Sequence, residues 1–130
     1  MAIPKIFEGL KVPAIAAPMF LASGPDLVVE TCRGGVVGTF PALNLRSTEA
    51  FSQWLDAIEG RLGPGDAPFG VNLIAHKTNP RLQADLEEVV RHKVPLVITS
   101  LGAVPDLVDA VHAYGGLVFH DVINRRHAEK

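Results

Sequence analysis

Residues 95–130 read PLVITSLGAVPDLVDAVHAYGGLVFHDVINRRHAEK. Two apolar runs, Pro95 to Leu101 and Gly116 to Val122, flank a segment with helical spacing at Leu107, Val108 and Val111. That segment opens at Pro105-Asp106 and closes at Tyr114-Gly115-Gly116. Proline in a first helical turn forfeits no hydrogen bond, and glycine just past the last turn takes the left-handed conformation that ends a helix. The flanking runs are apolar on consecutive positions, the pattern of parallel strands buried on both faces. The stretch therefore spells one β-α-β unit. Beyond it only Asn124 to Lys130 remain, about two turns of helix. A finished doubly wound domain carries a whole helix at this place, so the expectation is a chain cut inside a helix.

The same pattern extends toward the N-terminus. Strand-length apolar runs occupy Ala14 to Met19, Gly35 to Phe40 and Phe69 to Ile74. Between them, Ser23-Gly24-Pro25-Asp26 starts a first helix. Phe51, Trp54, Leu55 and Ile58 line one face of a second, and Asn79-Pro80 precedes a third carrying Leu82, Leu86, Val89 and Val90. The stretch from Gly60 to Pro68, containing GPGDAP, is a surface loop rather than a domain boundary. Five strands in strict alternation with helices imply right-handed crossovers and a parallel sheet. Two architectures fit: a flavodoxin-like doubly wound sheet, complete at this length, and part of a (β/α)8 barrel, which needs about 250 residues. Strand order separates them, 1-2-3-4-5 in a barrel wall against 2-1-3-4-5 in the doubly wound sheet.

Composition bounds the function. The 130 residues form one domain, 1–130, with 48% apolar and 20% charged residues, and twelve Lys and Arg against fourteen Asp and Glu give a net charge of −2. Such a balance excludes binding dominated by phosphate neutralisation, so no nucleic-acid partner is expected. A single Cys32 forms no internal disulfide. No apolar stretch reaches the roughly 20 residues that span a bilayer. A cytoplasmic protein with a small-molecule substrate and no membrane contact is the expectation.

In either architecture ligands sit at the C-terminal ends of the strands. That selects Pro18, Met19 and Phe20; Phe40 and Pro41; Asn72 and Leu73; Ser100, Leu101 and Gly102; and His120 and Asp121. Asn72 stands out, because a buried amide without partners costs about 1–3 kcal/mol, and a ligand with donors and acceptors on its rim would supply them. Neighbouring backbone or a buried water would serve as well. His120 and Asp121 are adjacent, so one faces the ligand and the other the helix layer. The histidines at 76, 92, 112 and 127 lack metal-site spacing, and no metal site is expected. Gly34, Gly35 and Gly38 precede or open a strand instead of joining a strand to a helix, so they read as structural rather than phosphate-binding. Cys32 has no adjacent histidine and reads as a packing thiol.

The motifs PAIAAPMF (13–20), GGVVGTFPALN (34–44), PFGVNLI (68–74), VPLVITSLG (94–102) and GLVFHDVINRRHA (116–128) together resemble the nitronate monooxygenase family, formerly 2-nitropropane dioxygenases. The resemblance implies an α/β fold made of the N-terminal five β/α units of a TIM (β/α)8 barrel, truncated, and FMN as cofactor. It implies oxidation of alkyl nitronates with oxygen. It places Ala17, Pro18 and Met19 against the flavin, makes Asn72 its hydrogen-bonding partner and puts His120 among the cofactor contacts. The family's catalytic histidine lies in a GGHAG-like segment that this sequence lacks, so no catalytic residue is expected within it, and the 130-residue chain alone is expected to be inactive. A quinone reductase branch carries lysine where this chain has Asp121. Two further readings stand beside it: a flavin-dependent enoyl-acyl-carrier-protein reductase, with a similar barrel, and a self-contained non-enzymatic binding module. Open sheet edges and an inner face without an opposite wall predict a chain that self-associates and whose inner side chains are partly wet.

Overall fold

The computed structural model describes residues 3–102 and 104–129. Its elements alternate as read: α1 (Pro25–Arg33), β1 (Gly38–Pro41), α2 (Thr48–Glu59), β2 (Phe69–Ile74), α3 (Leu82–Arg91), β3 (Leu96–Ser100), α4 (Pro105–Ala113), β4 (Leu117–His120) and α5 (Arg125–Ala128). Single helical turns add Lys5–Phe7 and Ala42–Asn44. All strand pairs are parallel, in the order β1-β2-β3-β4. Sequential order excludes the doubly wound arrangement and is that of a barrel wall.

The expected first strand, Ala14 to Met19, is a correction. Among the described residues it contributes one isolated parallel bridge, Ile15 to Val37, with Ala16 N–H donating to Val37 O at 2.8 Å and Val37 N–H to Ala14 O at 3.1 Å. Prolines at 13 and 18 bracket the run, and proline cannot donate to a ladder. The segment still occupies the place before β1, so sequential order holds. The third helix also starts later than Asn79-Pro80 suggested. Asn79 builds a turn instead, its Oδ1 accepting from Arg81 N–H at 3.1 Å and its Nδ2 donating to Ile74 O at 3.0 Å.

Alternation along the strands sorts two cores. Val71 and Leu73 of β2, with Val97 of β3, pack on the helices through Phe51, Leu55, Ile58, Leu86, Val89, Leu107 and Val111. Side chains of this size contribute about 1.5–3 kcal/mol each when fully buried. Cys32 belongs to this layer: burial pushes its thiol up, and its Sγ accepts from Gly38 N–H at 3.4 Å. Gly38 lets α1 lie directly on β1, since a Cβ there would stand 2.5 Å from Val28 O.

The opposite face meets the expectation of partly wet side chains only at β4, where Leu117 and Phe119 are half-buried. Val37, Leu96 and Ile98 are buried beneath Ile6, Phe7, Leu10 and Ile15, beside Leu117 and Phe119. The Phe7 and Phe119 rings stack with centroids 6.0 Å apart. The N-terminal segment folds across the strand beginnings and supplies an apolar wall there.

Candidate functional site

Strand parity that turns Val71, Leu73 and Val97 toward the helices turns Asn72, Ile98 and Ser100 to the inner face. Register places Asn72 beside Ile98 and Ile74 beside Ser100, and Asp121 N–H donates to Thr99 O at 2.9 Å just past β4. A polar line results at the C-terminal ends of β2, β3 and β4. Asn72 Nδ2 donates to Ile98 O at 3.0 Å and to Ser100 Oγ at 2.8 Å, and Ser100 Oγ donates to Asp121 Oδ2 at 2.7 Å. Asn72 is 7% exposed, Ser100 half-buried and Asp121 exposed, so the line runs from the interior to solvent. Both amide hydrogens of Asn72 are committed, which leaves its carbonyl oxygen as the acceptor that a ligand's N–H or O–H would meet.

The loops around this line are shaped from a distance. Ser23, buried at the start of α1, accepts from Met19 N–H at 2.9 Å through Oγ. Asn44 accepts from Leu21 N–H at 2.8 Å and donates to Met19 O at 3.2 Å and Ser23 O at 2.9 Å. The loop from Met19 to Ser23 is thus pinned through its backbone, and the side chains of Met19, Phe20 and Leu21 are left exposed. Leu21 and Leu101 both take the left-handed conformation, at φ 61° and 63°. For a non-glycine residue this costs on the order of 1–3 kcal/mol and concentrates at ligand-binding loops. Gly102 follows because a Cβ there would stand 2.6 Å from Ala75 O, where the loops after β2 and β3 touch.

Of the residues singled out by sequence, Asn72 sits at the buried end of the line, on the inner face. Pro18 is half-buried, and Ala17 and Met19 are exposed, on the segment that precedes β1. The Thr39 hydroxyl donates to Ala16 O and so carries the pairing of that segment one step past the Ile15 bridge. His120 stands apart: parity turns it to the helix layer, where its Nδ1 meets Thr99 Oγ1 at 2.7 Å. There it borders a cavity of about 480 Å³ lined by Val104, Pro105, Val108 and Val118. Ser100 and Asp121, both among the strand-end residues, are joined to Asn72 in one line. Its place at a strand end marked Asp121, while its adjacency to His120 leaves open which of the two faces inward; the hydrogen bond from Ser100 shows that Asp121 does.

A parallel, sequentially ordered β/α wall is an arc of a (β/α)8 barrel, and the polar line lies at the C-terminal ends of its strands. Solved structures agree on the fold. The chain is similar to FabK from Thermotoga maritima (TM-score 0.81, 20% identity, 95% of this chain and 38% of that one). A mutant of the same FabK gives 0.80, 19%, 95% and 40%. The enoyl reductase domain of MlnA from the macrolactin biosynthesis cluster of Bacillus amyloliquefaciens gives 0.78, 19%, 92% and 30%. The chain therefore spans 40% or less of the length of these structures. No protein-family model and no curated protein matches the sequence.

Proposed function

We propose that this chain is the cofactor-holding part of an FMN-dependent oxidoreductase, acting on an activated C=C bond such as an enoyl thioester. The observation that carries it is the line Asn72–Ser100–Asp121 on the inner face at the strand ends. The donor set fits a flavin: an uncommitted amide oxygen at Asn72, a hydroxyl with fixed direction at Ser100, and exposed apolar side chains at Met19 and Leu101 against which a flat ring would lie. When bound, FMN would supply the hydride or electron transfer, which no side chain of this chain provides. Asn72 would orient the ring edge. Ser100 receives one hydrogen bond and gives one, so its hydroxyl is locked and Asn72 is held against rotation. Asp121, exposed at the outer end of the line, would serve as a proton acceptor at the mouth. His120, on the helix side, would support the strand end and contact cofactor only after a rotation of its side chain.

The enoyl reductase reading is supported by the likeness to an enoyl reductase domain. The nitronate reading is supported by the five motifs that resemble nitronate monooxygenases, and it stands second. In an assembled barrel containing this chain, Asn72→Ala should weaken FMN binding by about 1–3 kcal/mol. NADH consumption with an enoyl thioester favours the first reading, and oxygen consumption with an alkyl nitronate the second. An assembled barrel that takes up no FMN overturns both.

A further inference from the structure

The last turn of α2 carries no basic residue and two acidic ones, Asp56 and Glu59, at the end where the helix dipole is negative. The C-terminus of α3 ends beside it, with His92 as its cap and Glu88 one turn earlier. Two negative helix ends and three carboxylates thus surround one imidazole. The His92 side chain is 5% exposed. Its Nδ1 lies 3.0 Å from Glu59 Oε2, while Nε2 is buried and has no hydrogen-bond partner. Nε2 is aimed between Asp56 Oδ1 at 3.8 Å and Glu88 Oε2 at 3.7 Å, too far for hydrogen bonds. One ligand atom from each of Asp56, Glu59 and His92 lies within 4.8 Å of the others, a group to which Glu88 does not belong.

We propose that this cluster binds a divalent first-row transition metal of the zinc class, through His92 Nε2 and the Asp56 carboxylate, with Glu88 as the adjoining ligand. The arrangement is that of a metal-ligating histidine whose other ring nitrogen donates to a carboxylate: with Nδ1–H donating to Glu59 Oε2, the Nε2 lone pair faces outward. Tetrahedral bonds of about 2.0–2.1 Å put neighbouring ligand atoms about 3.3 Å apart, so closure brings the Asp56 and Glu88 oxygens about half an ångström nearer Nε2 and swings the two carboxylates toward each other. Imidazole with carboxylates selects this class of ion over magnesium or calcium, which prefer all-oxygen sites. Arg91 already holds Glu88, donating from Nε at 3.0 Å, and offsets part of the negative charge. Asp56 is 65% exposed, so water completes the shell and the ion enters from solvent. Helices run opposite to strands in a β/α unit, so the site lies at the strand-beginning end, away from the Asn72 line, where it would staple α2 to α3.

The test is a Co2+ titration of the 130-residue protein, followed by visible absorption and by Tm. Binding of one Co2+, displaced by Zn2+, with Tm raised by about 4 °C or more at a hundredfold excess over Kd, is the expected result. His92→Gln should abolish the bands, and Asp56→Asn, on an exposed side chain that folding does not depend on, should weaken binding at least about tenfold. Binding that both variants leave unchanged would place the metal on other histidines and overturn the site. A Tm indifferent to millimolar metal that rises only on acidification would leave a proton as the cation there, and would overturn it too.

Discussion

Ser100 is the middle residue of the polar line and the one whose loss is most diagnostic. Ser100→Ala removes the acceptor of one Asn72 hydrogen and the donor to Asp121. The Asn72 side is buried, so a loss of about 1–2 kcal/mol in stability is expected, measured by urea unfolding; a neutral outcome would mean that water replaces the hydroxyl. Tyr114 gives a separate, pH-dependent test. Its Oη donates to Val94 O at 2.8 Å, and burial pushes its pKa up to about 12. The ordinary value is about 10, so the unfolded chain ionises first and stability is full below pH ~10, then falls as pH rises toward about 12. Tyr114→Phe should flatten that alkaline limb relative to the wild type. Cys32, also raised by burial, is common to both proteins and cancels in the comparison. At this scale the sequence singled out Asn72 for a sound reason, the cost of burying an amide. Its partners Ser100 and Asp121 come from two other strands, and only inter-strand register brings them together.

Among the elements, helices were legible wherever apolar spacing and punctuation agreed. α4 runs from Pro105 to Ala113 and is followed by Gly115 at φ 86°, as its proline and glycine indicated. The run Ala14 to Met19 looked like a strand because apolar content registers burial, whereas pairing depends on backbone N–H groups that Pro13 and Pro18 do not have. The loops that follow the strands were not legible, since nothing in a leucine announces a left-handed backbone. Leu101→Gly should relieve that conformation and raise stability by up to about 1 kcal/mol, read from the unfolding midpoint. If the same substitution in an assembled barrel weakens ligand binding while stability rises, the strain serves the site rather than the fold. The N-terminal turn makes the complementary case. Phe7→Ala strips the ring that stacks on Phe119. Phe7 is only half-buried, so a loss of about 1–2 kcal/mol is expected, below the 3–5 kcal/mol of a fully buried phenylalanine.

For the molecule as a whole, alternation of strands and helices named the class but not the order of the sheet, which pattern alone left open between two architectures. The family motifs tipped the reading toward the barrel, and the sequential order β1-β2-β3-β4 agrees. Among the described residues β4 pairs only with β3, so one row of its backbone groups is open. The 130-residue protein is therefore expected to self-associate as concentration rises in sedimentation velocity; a monomer at every concentration would mean that the edge is protected. The N-terminal turn bears on traffic as well as on stability. It floors the strand-beginning end of the inner face, so in an assembled barrel a ligand would reach Asn72 from the C-terminal strand ends. A reactant and its product would then share that one end of the assembled barrel and use it in turn.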